Sequence, residues 1–349
     1  MNFKNVHIPA FNRKTADQAA ARQQTLTKPL GSMGDLETLS IQIAGMTGDP
    51  LPDLKRKAVF LMAADHGVCA EGVSPYPQSV TPQMVMNFLN HGAAINVLTQ
   101  QLGAEVRITD IGVAYDFDPS LPIAHRKVAH GTMNIAVGPA MTAAQLDQAL
   151  TVGYEIGGEA FRSGVQLAAT GEMGIGNTTP SAAITAVLTG KPAAEVTGRG
   201  TGVDEAGLAR KIAVVERALA VNRPDRNDPF DILMKIGGFE IAGMTGVTLA
   251  AAANRVPLVM DGLISTVAAA LAAEINPGVR DYLIAGHQSV EIGHAALLAL
   301  LERQPLLNLK MRVGEGTGAA LSFALIDAAL NVLRDMATFE SANVSGRNG

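Results

Sequence analysis

The chain has 349 residues, of which 48% are hydrophobic and 17% are charged, with one cysteine and a net charge of −5 at pH 7. This composition excludes an intrinsically disordered chain and an internal disulfide framework, and the scattered basic residues argue against nucleic acid as a partner. Tryptophan is absent and aromatic residues make up 4%. Aliphatic side chains must therefore fill the core, which is typical of helices packed on a parallel sheet.

The sequence also predicts where the protein resides. The N-terminal segment MNFKNVHIPAFNRKT contains no apolar stretch typical of a signal peptide. The longest apolar runs, 241–253 and 263–273, contain glycine or threonine and are shorter than the ~20 residues needed to cross a bilayer. With Cys69 as its only cysteine, the chain is expected to be cytoplasmic and to lack a membrane span.

The first predicted elements are two helices, at 15–27 and 35–46. A segment rich in proline and glycine, 28–34, joins them, and 50–56 is expected to be a linker into a second unit. A chain of this length favours one large domain with a smaller one attached.

Four apolar runs of strand length follow, at 57–64, 104–109, 165–170 and 255–260. Three of them end in an aspartate close to a glycine: Asp65, Asp110 and Asp261. The helical segments between and after the strands are 81–101, 142–163, 180–189, 207–221, 239–253 and 266–275. This alternation predicts a parallel α/β sheet with right-handed crossovers, and such sheets bind ligands at the carboxyl ends of their strands.

A glycine-rich loop, GEMGIGNTTP at 171–180, follows the third of these strands. Asn177 or Thr178 could cap a helix whose first turn contains Pro180. A helix N-terminus reached through such a loop presents unpaired N–H groups to an anion. The loop matches neither the dinucleotide-binding nor the P-loop pattern, and a purely structural turn is the alternative.

Further polar residues lie near predicted helices. Lys211 is at the edge of the apolar stripe of helix 207–221, where a solvated lysine is the alternative interpretation. His287, Ser289 and Glu291 lie near another helix start, but no G-x-S-x-G sequence supports a catalytic triad. The histidines show no metal-binding spacing, so we expect no metal and no cofactor.

One carboxylate stands out in the segment MRVGEGTGAALS at 311–322. Glu315 lies between Gly314 and Gly316, and glycines allow close approach of backbone and ligand. A partly desolvated carboxylate there would have a raised pKa and could accept a proton near neutral pH. A solvated glutamate on a turn is the alternative.

Taken together, KPLGSMG, ADHGVCAEGVS, GEMGIGNTTP, GGFEIAGMTG, MDGLIS and RVGEGTGAAL closely resemble the nicotinate-nucleotide:dimethylbenzimidazole phosphoribosyltransferase (CobT) family. The resemblance implies a large Rossmann-like parallel-sheet α/β domain at 51–324 and a small helical domain formed from 1–50 and 325–349. It also implies a homodimer.

The resemblance implies a reaction in cobalamin assembly. The 5-phosphoribosyl group moves from nicotinate mononucleotide to a nitrogen of 5,6-dimethylbenzimidazole, and α-ribazole 5'-phosphate forms with inversion at the anomeric carbon. Glu315 is then the general base. Substrate-binding roles are implied for Glu172, Gly174, Gly176, Asn177, Thr178, Lys211, Ser289, Val313 and Gly314.

The residues expected beside the base differ from part of the family. Some members place a glutamine against the base, whereas this chain has Met84 there, with Gln83 adjacent and Tyr76 nearby. A pocket lined by methionine could accept other benzimidazoles, purines or phenolics. A nucleotide phosphorylase or hydrolase, and a non-catalytic nucleotide-binding subunit, are the alternative functions.

Overall fold

A computed structural model describes residues 1–346 of the chain. Its centre is one sheet of six parallel strands in the order β3-β2-β1-β4-β5-β6. The strands are β1 (Lys57–Ala64), β2 (Ala104–Gly112), β3 (Ala124–His125), β4 (Leu167–Met173), β5 (Leu258–Met260) and β6 (Leu283–Ala285). The predicted parallel-sheet α/β fold is confirmed.

Helices surround the sheet. In chain order they are α1 (Arg13–Gln23), α2 (Asp35–Thr47), α3 (Val80–Leu89), α4 (Ala94–Leu102), α5 (Ala143–Arg162), α6 (Thr178–Thr189), α7 (Ala193–Val196), α8 (Glu205–Asn222), α9 (Pro229–Ile236), α10 (Phe239–Ala253), α11 (Leu263–Ile275), α12 (Ile292–Leu301) and α13 (Thr317–Asp335). Helix α10 packs against β1, β2 and β4 and is covered by α5. All but one of its residues are buried, which explains its lack of a polar face.

Some predicted boundaries were wrong. The helix expected at 81–101 is two helices, α3 and α4, because the chain between them enters the left-handed region at His91, whose φ is +57°. The strand expected at 255–260 begins only at Leu258, since Arg255 has a φ of +56° and Pro257 has no N–H to donate. The short elements β3, β6 and α9 were not predicted.

The two ends of the chain meet. Helices α1 and α2 pack on α13, and Ala19, Ala44 and Leu333 form a small separate apolar cluster. Helix α13 is continuous across 324/325, the boundary expected between the two domains. The division into domains stays a prediction.

Helix α13 is long and apolar enough to cross a membrane by length and composition. Yet 56% of its most apolar window is buried inside the protein, and the helix packs on α2, α4 and β4. That burial is typical of a helix in a protein core.

Candidate functional site

A cavity opens at the carboxyl ends of β4, β5 and β6. Glu172 at the end of β4, Asp261 after β5 and Ser289 after β6 line it, together with Glu315 from the turn that precedes α13. The ends of parallel strands, where ligands bind in open α/β sheets, thus bring together residues that are far apart in sequence.

The turn that carries Glu315 has an unusual backbone. Gly314, Glu315 and Gly316 all lie in the left-handed region, with φ values of +81°, +61° and +87°. Glycine adopts this conformation at little cost, but a glutamate rarely does. A Cβ added at Gly171 of β4 would lie 2.3 Å from the carbonyl oxygen of Glu315, so the bare strand backbone is what lets the turn pack so closely.

The Glu315 side chain is buried, with 8% of the residue's surface exposed. Its Oε2 accepts a hydrogen bond of 3.3 Å from the N–H of Ile95, in the first turn of α4. Burial raises the pKa of Glu315, the bond from Ile95 lowers it, and the charge of Asp261 raises it again. The net pKa shift is upward, as a proton acceptor working near neutral pH requires.

Glu172 is the second acid of the cavity. It lies within β4, whereas the sequence predicted it in the loop beyond the strand. Its Oε2 accepts a hydrogen bond from the Asn177 amide. Burial raises the pKa of Glu172 to about 8, the Asn177 bond opposes that shift, and Glu240, Asp261 and Glu315 add to it.

The N-terminus of α6 faces the same cavity through Asn177 and Thr178. Asn177 is the N-cap residue, but its side chain bonds to Glu172 and does not cap the helix. The Lys211 ammonium, on α8, donates a 2.6 Å hydrogen bond to the Thr178 hydroxyl. Burial lowers the pKa of Lys211 to about 8, against the opposing charge of Glu291.

The predicted glycines have distinct steric roles. A Cβ at Gly174 would lie 2.4 Å from the carbonyl oxygen of Ala64, and one at Gly176 would lie 2.5 Å from the Cys69 sulfur. Gly176 also has a φ of +91°. Gly174, Gly314 and Val313 line the cavity. Gly176 does not line it, but the absence of a side chain there lets the loop pack against Cys69.

Ser289 is held by hydrogen bonds to its neighbours. Its N–H donates to the Nδ1 of His294 at 2.9 Å, and its hydroxyl accepts from the N–H of Glu291 at 3.3 Å. Burial lowers the pKa of His294 to about 3, so this imidazole is neutral and serves as a structural acceptor.

Sequence reasoning assigned no site role to several residues of the cavity, namely Asp261, His287, Glu291, Arg312 and Thr201. In the sequence, Asp261 is recognisable only as the end of a strand, and His287 and Glu291 only as parts of an unsupported triad. The Arg312 guanidinium donates to the carbonyl oxygen of Gly200 at 2.9 Å, which ties the loop 198–202 to the segment before Glu315.

The residues expected beside the base do not line this cavity. Tyr76 is 52% exposed, Gln83 is exposed and Met84 is half-buried on α3. Helix α3 nevertheless adjoins the site, because the Thr81 hydroxyl accepts a 3.1 Å hydrogen bond from the N–H of Ile175. The role of these three side chains stays a prediction.

Within residues 1–346, no group of three or more His, Cys, Asp or Glu side chains is arranged to hold a metal ion. The buried histidine of the ADHG segment, His66, pairs instead with Glu240 at 2.7 Å.

Comparisons with known proteins identify what the chain is similar to. A family model described as phosphoribosyltransferase matches residues 8–344. A relative from Chloroflexus aggregans, named nicotinate-nucleotide–dimethylbenzimidazole phosphoribosyltransferase, is 55% identical over 97% of this chain and 96% of its own length. One of the same name from Geobacter sulfurreducens is 54% identical over 94% of this chain and 93% of its own.

A solved structure shows the same fold. The crystal structure of CobT from Thermus thermophilus superposes with a TM-score of 0.91 at 46% identity, covering 95% of this chain and 99% of that one. These matches confirm the resemblance noted in the sequence.

Proposed function

Since this chain belongs to the nicotinate-nucleotide–dimethylbenzimidazole phosphoribosyltransferase family, we propose that it transfers 5-phosphoribosyl from nicotinate mononucleotide to 5,6-dimethylbenzimidazole. The products are nicotinate and α-ribazole 5'-phosphate, a step of cobalamin lower-ligand synthesis. Glu315 is the general base.

The reaction has one bond made and one broken at the anomeric carbon. A ring nitrogen of the base attacks C1' as the bond from C1' to the pyridinium nitrogen breaks, and that electron pair neutralises the departing nicotinate ring. The other ring nitrogen loses its proton to the Glu315 carboxylate. A positioned base of this kind contributes ~10²- to 10⁴-fold to the rate.

The charges of the cavity suit the donor. The pyridinium ring of nicotinate mononucleotide is cationic, and positive charge spreads to C1' as the bond to the ring breaks. The acids Asp261 and Glu315 line the cavity, and preorganised carboxylates favour positive charge that develops in the transition state.

The 5'-phosphate needs a site of its own among these acids. The N-terminus of α6 carries the partial positive charge of the helix dipole, and the Lys211 ammonium donates a hydrogen bond to Thr178 at the same place. Helix N-termini and lysine are common phosphate ligands, which supports phosphate binding on the loop that contains Gly174, Gly176 and Asn177.

One observation carries the proposal: a buried carboxylate on a left-handed turn faces the same cavity as a helix N-terminus. Release of nicotinate from nicotinate mononucleotide, followed with and without dimethylbenzimidazole, tests it. The transferase releases nicotinate only when the base is added. Equal release without the base would indicate a hydrolase, release that requires inorganic phosphate would indicate a phosphorylase, and no release in any mixture would indicate a binding protein.

The choice of base is a separate proposal. The partly buried Met84, beside Gln83 and Tyr76, could accommodate bases other than dimethylbenzimidazole, because a thioether chain adapts to differently shaped rings. Turnover of dimethylbenzimidazole, adenine and p-cresol should then differ only moderately. Turnover with dimethylbenzimidazole alone would refute this proposal.

We also propose that the protein is cytoplasmic and acts as a homodimer on small-molecule substrates, as its family resemblance implies. The net charge of −5 supports the absence of a nucleic-acid partner.

A further inference from the structure

The helix that follows Glu315 has its N-terminus capped by a distant residue. Helix α13 begins at Thr317, and its N-cap, Gly316, has no side chain to cap it. The Oδ1 of Asp261, which follows β5, accepts hydrogen bonds from the N–H groups of Gly318 at 2.7 Å and Ala319 at 3.0 Å. Asp261 therefore satisfies the first N–H groups of α13, the role that an N-cap side chain normally has.

This cap acts directly next to the proposed base. Glu315 is two residues before the first turn of α13 and has a φ of +61°. A non-glycine residue is strained in this region, so the surrounding structure must hold it there. Close packing on Gly171 fixes one side of the turn, and the hydrogen bonds that Asp261 accepts from α13 fix the other.

We propose that Asp261 is the positioning residue for Glu315: it holds the turn that carries the base and places a carboxylate in the same cavity as the base. This inference rests on the proposed function, because it assigns a task to Asp261 only if Glu315 is the base.

The charges around Asp261 support its second task. Asp261 is 3% exposed, and His287, from the segment after β6, places its Nε2 3.5 Å from Oδ1. A Cβ at Gly318 would lie 2.0 Å from the His287 ring, so the absence of that atom lets the ring pack over the helix start. Burial raises the pKa of Asp261, while His287 and the N–H groups of α13 oppose that shift.

The other charged side chains that line the cavity are Glu172 on β4, Glu291 after β6 and Arg312 before the turn. The charge of Asp261 raises the pKa of Glu315, and it also raises the pKa of Glu172. Removing that charge should make Glu315 a weaker base with a lower pKa.

Two variants separate the two tasks. Asp261→Asn keeps an oxygen that can cap α13 but removes the charge, and Asp261→Glu keeps the charge but displaces the cap by one methylene. In Asp261→Asn, the acid limb of the kcat/KM profile against pH should move to lower pH by roughly 0.5 to 1 unit. In Asp261→Glu, kcat should fall by up to about 10²-fold, because the base is misplaced, while the acid limb stays near its native position.

Asp228→Asn is the matched control. Asp228 caps α9 through a 3.1 Å bond from the N–H of Phe230 and does not line the cavity. Its substitution should leave both kcat and the pH profile unchanged.

An unshifted acid limb in a folded Asp261→Asn enzyme would overturn the inference. If Asp261→Asn does not fold, the test rests on Asp261→Glu alone. Native kcat and native thermal stability in Asp261→Glu would overturn the inference. Failure of the proposed function gives a different result: the native protein would then release nicotinate equally without dimethylbenzimidazole, or would release none. If Glu315→Gln loses turnover but Asp261→Asn keeps the native acid limb of the kcat/KM profile, only the role of Asp261 is refuted.

Discussion

At the scale of single residues, the site depends on carboxylates taken out of water. Glu172 and Glu315 face one cavity, yet their partners differ: an amide donates to Glu172 and a backbone N–H to Glu315. Burial raises both pKa values. Proteins tolerate such groups because the neutral form avoids the cost of a buried charge.

The raised pKa of Glu172 predicts how stability depends on pH. Its pKa rises from 4.5 to about 8 on folding, so between these values the folded state retains a proton that the unfolded state has lost. Glu172 therefore lowers the free energy of unfolding as pH rises through this window, by on the order of 1 kcal/mol per pH unit.

Glu172→Gln removes this dependence, so the variant should lose less stability than the native chain between pH 5 and pH 8. Urea unfolding at both pH values measures it. The exposed Glu216→Gln is the control and should follow the native chain. A native pH slope in Glu172→Gln would contradict the assignment.

At the scale of secondary structure elements, the absence of a side chain at Gly171 in β4 lets the turn before α13 pack against the sheet. Gly171→Ala would bring its Cβ within 2.3 Å of the Glu315 carbonyl oxygen. Because the backbone holds the added Cβ rigidly and the Glu315 oxygen is itself a backbone atom, the turn must move. We expect a loss of about 1 to 3 kcal/mol in the free energy of unfolding, together with reduced turnover.

Gly138→Ala is the comparison for this variant, because a Cβ there meets nothing within 4 Å. Thermal unfolding and turnover of the two variants, measured side by side, decide the question. Equal behaviour of the two would show that the close approach at Gly171 is unimportant.

The contact between α6 and α8 makes a second prediction at this scale. Lys211→Met removes the ammonium that bonds to Thr178, so the KM for nicotinate mononucleotide should rise about 10- to 100-fold, since charge-assisted bonds contribute ~1.5 to 3 kcal/mol. Its neighbour Arg210 bonds to the carbonyl oxygen of Gly72 on the surface, so Arg210→Met should keep a native KM. A native KM in both variants would exclude Lys211 from phosphate binding.

The sequence predicted what is encoded locally. The strand at Lys57–Ala64 and the helix at Phe239–Ala253 have the predicted bounds, because continuous apolar runs between polar ends identify them. The hydrogen bonds that Asp261 accepts from Gly318 and Ala319 join residues 57 and 58 positions apart. No local pattern records such a contact, so sequence reasoning missed the role of Asp261 and the burial of Glu172 inside a strand.

At the scale of the whole molecule, α13 connects the site to the chain ends. Its first turn bonds to Asp261 in the site, and its later turns pack on α1 and α2. One continuous helix therefore joins the site to the helices at the start of the chain.

The proposed homodimer makes a prediction at this scale. Tyr76 is 52% exposed and Val313, at the edge of the cavity, is 57% exposed. A second chain that packs on these side chains would remove their apolar surface from water. Sedimentation equilibrium should give twice the mass of one chain, and a single-chain mass at micromolar concentration would contradict the dimer.

The most direct test of the central claim is the rate of nicotinate release by Glu315→Gln in the presence of dimethylbenzimidazole, with binding of nicotinate mononucleotide measured in parallel. If Glu315 is the base, the variant binds nicotinate mononucleotide with native affinity, and its turnover falls by ~10²- to 10⁴-fold. Native turnover in Glu315→Gln would contradict the account.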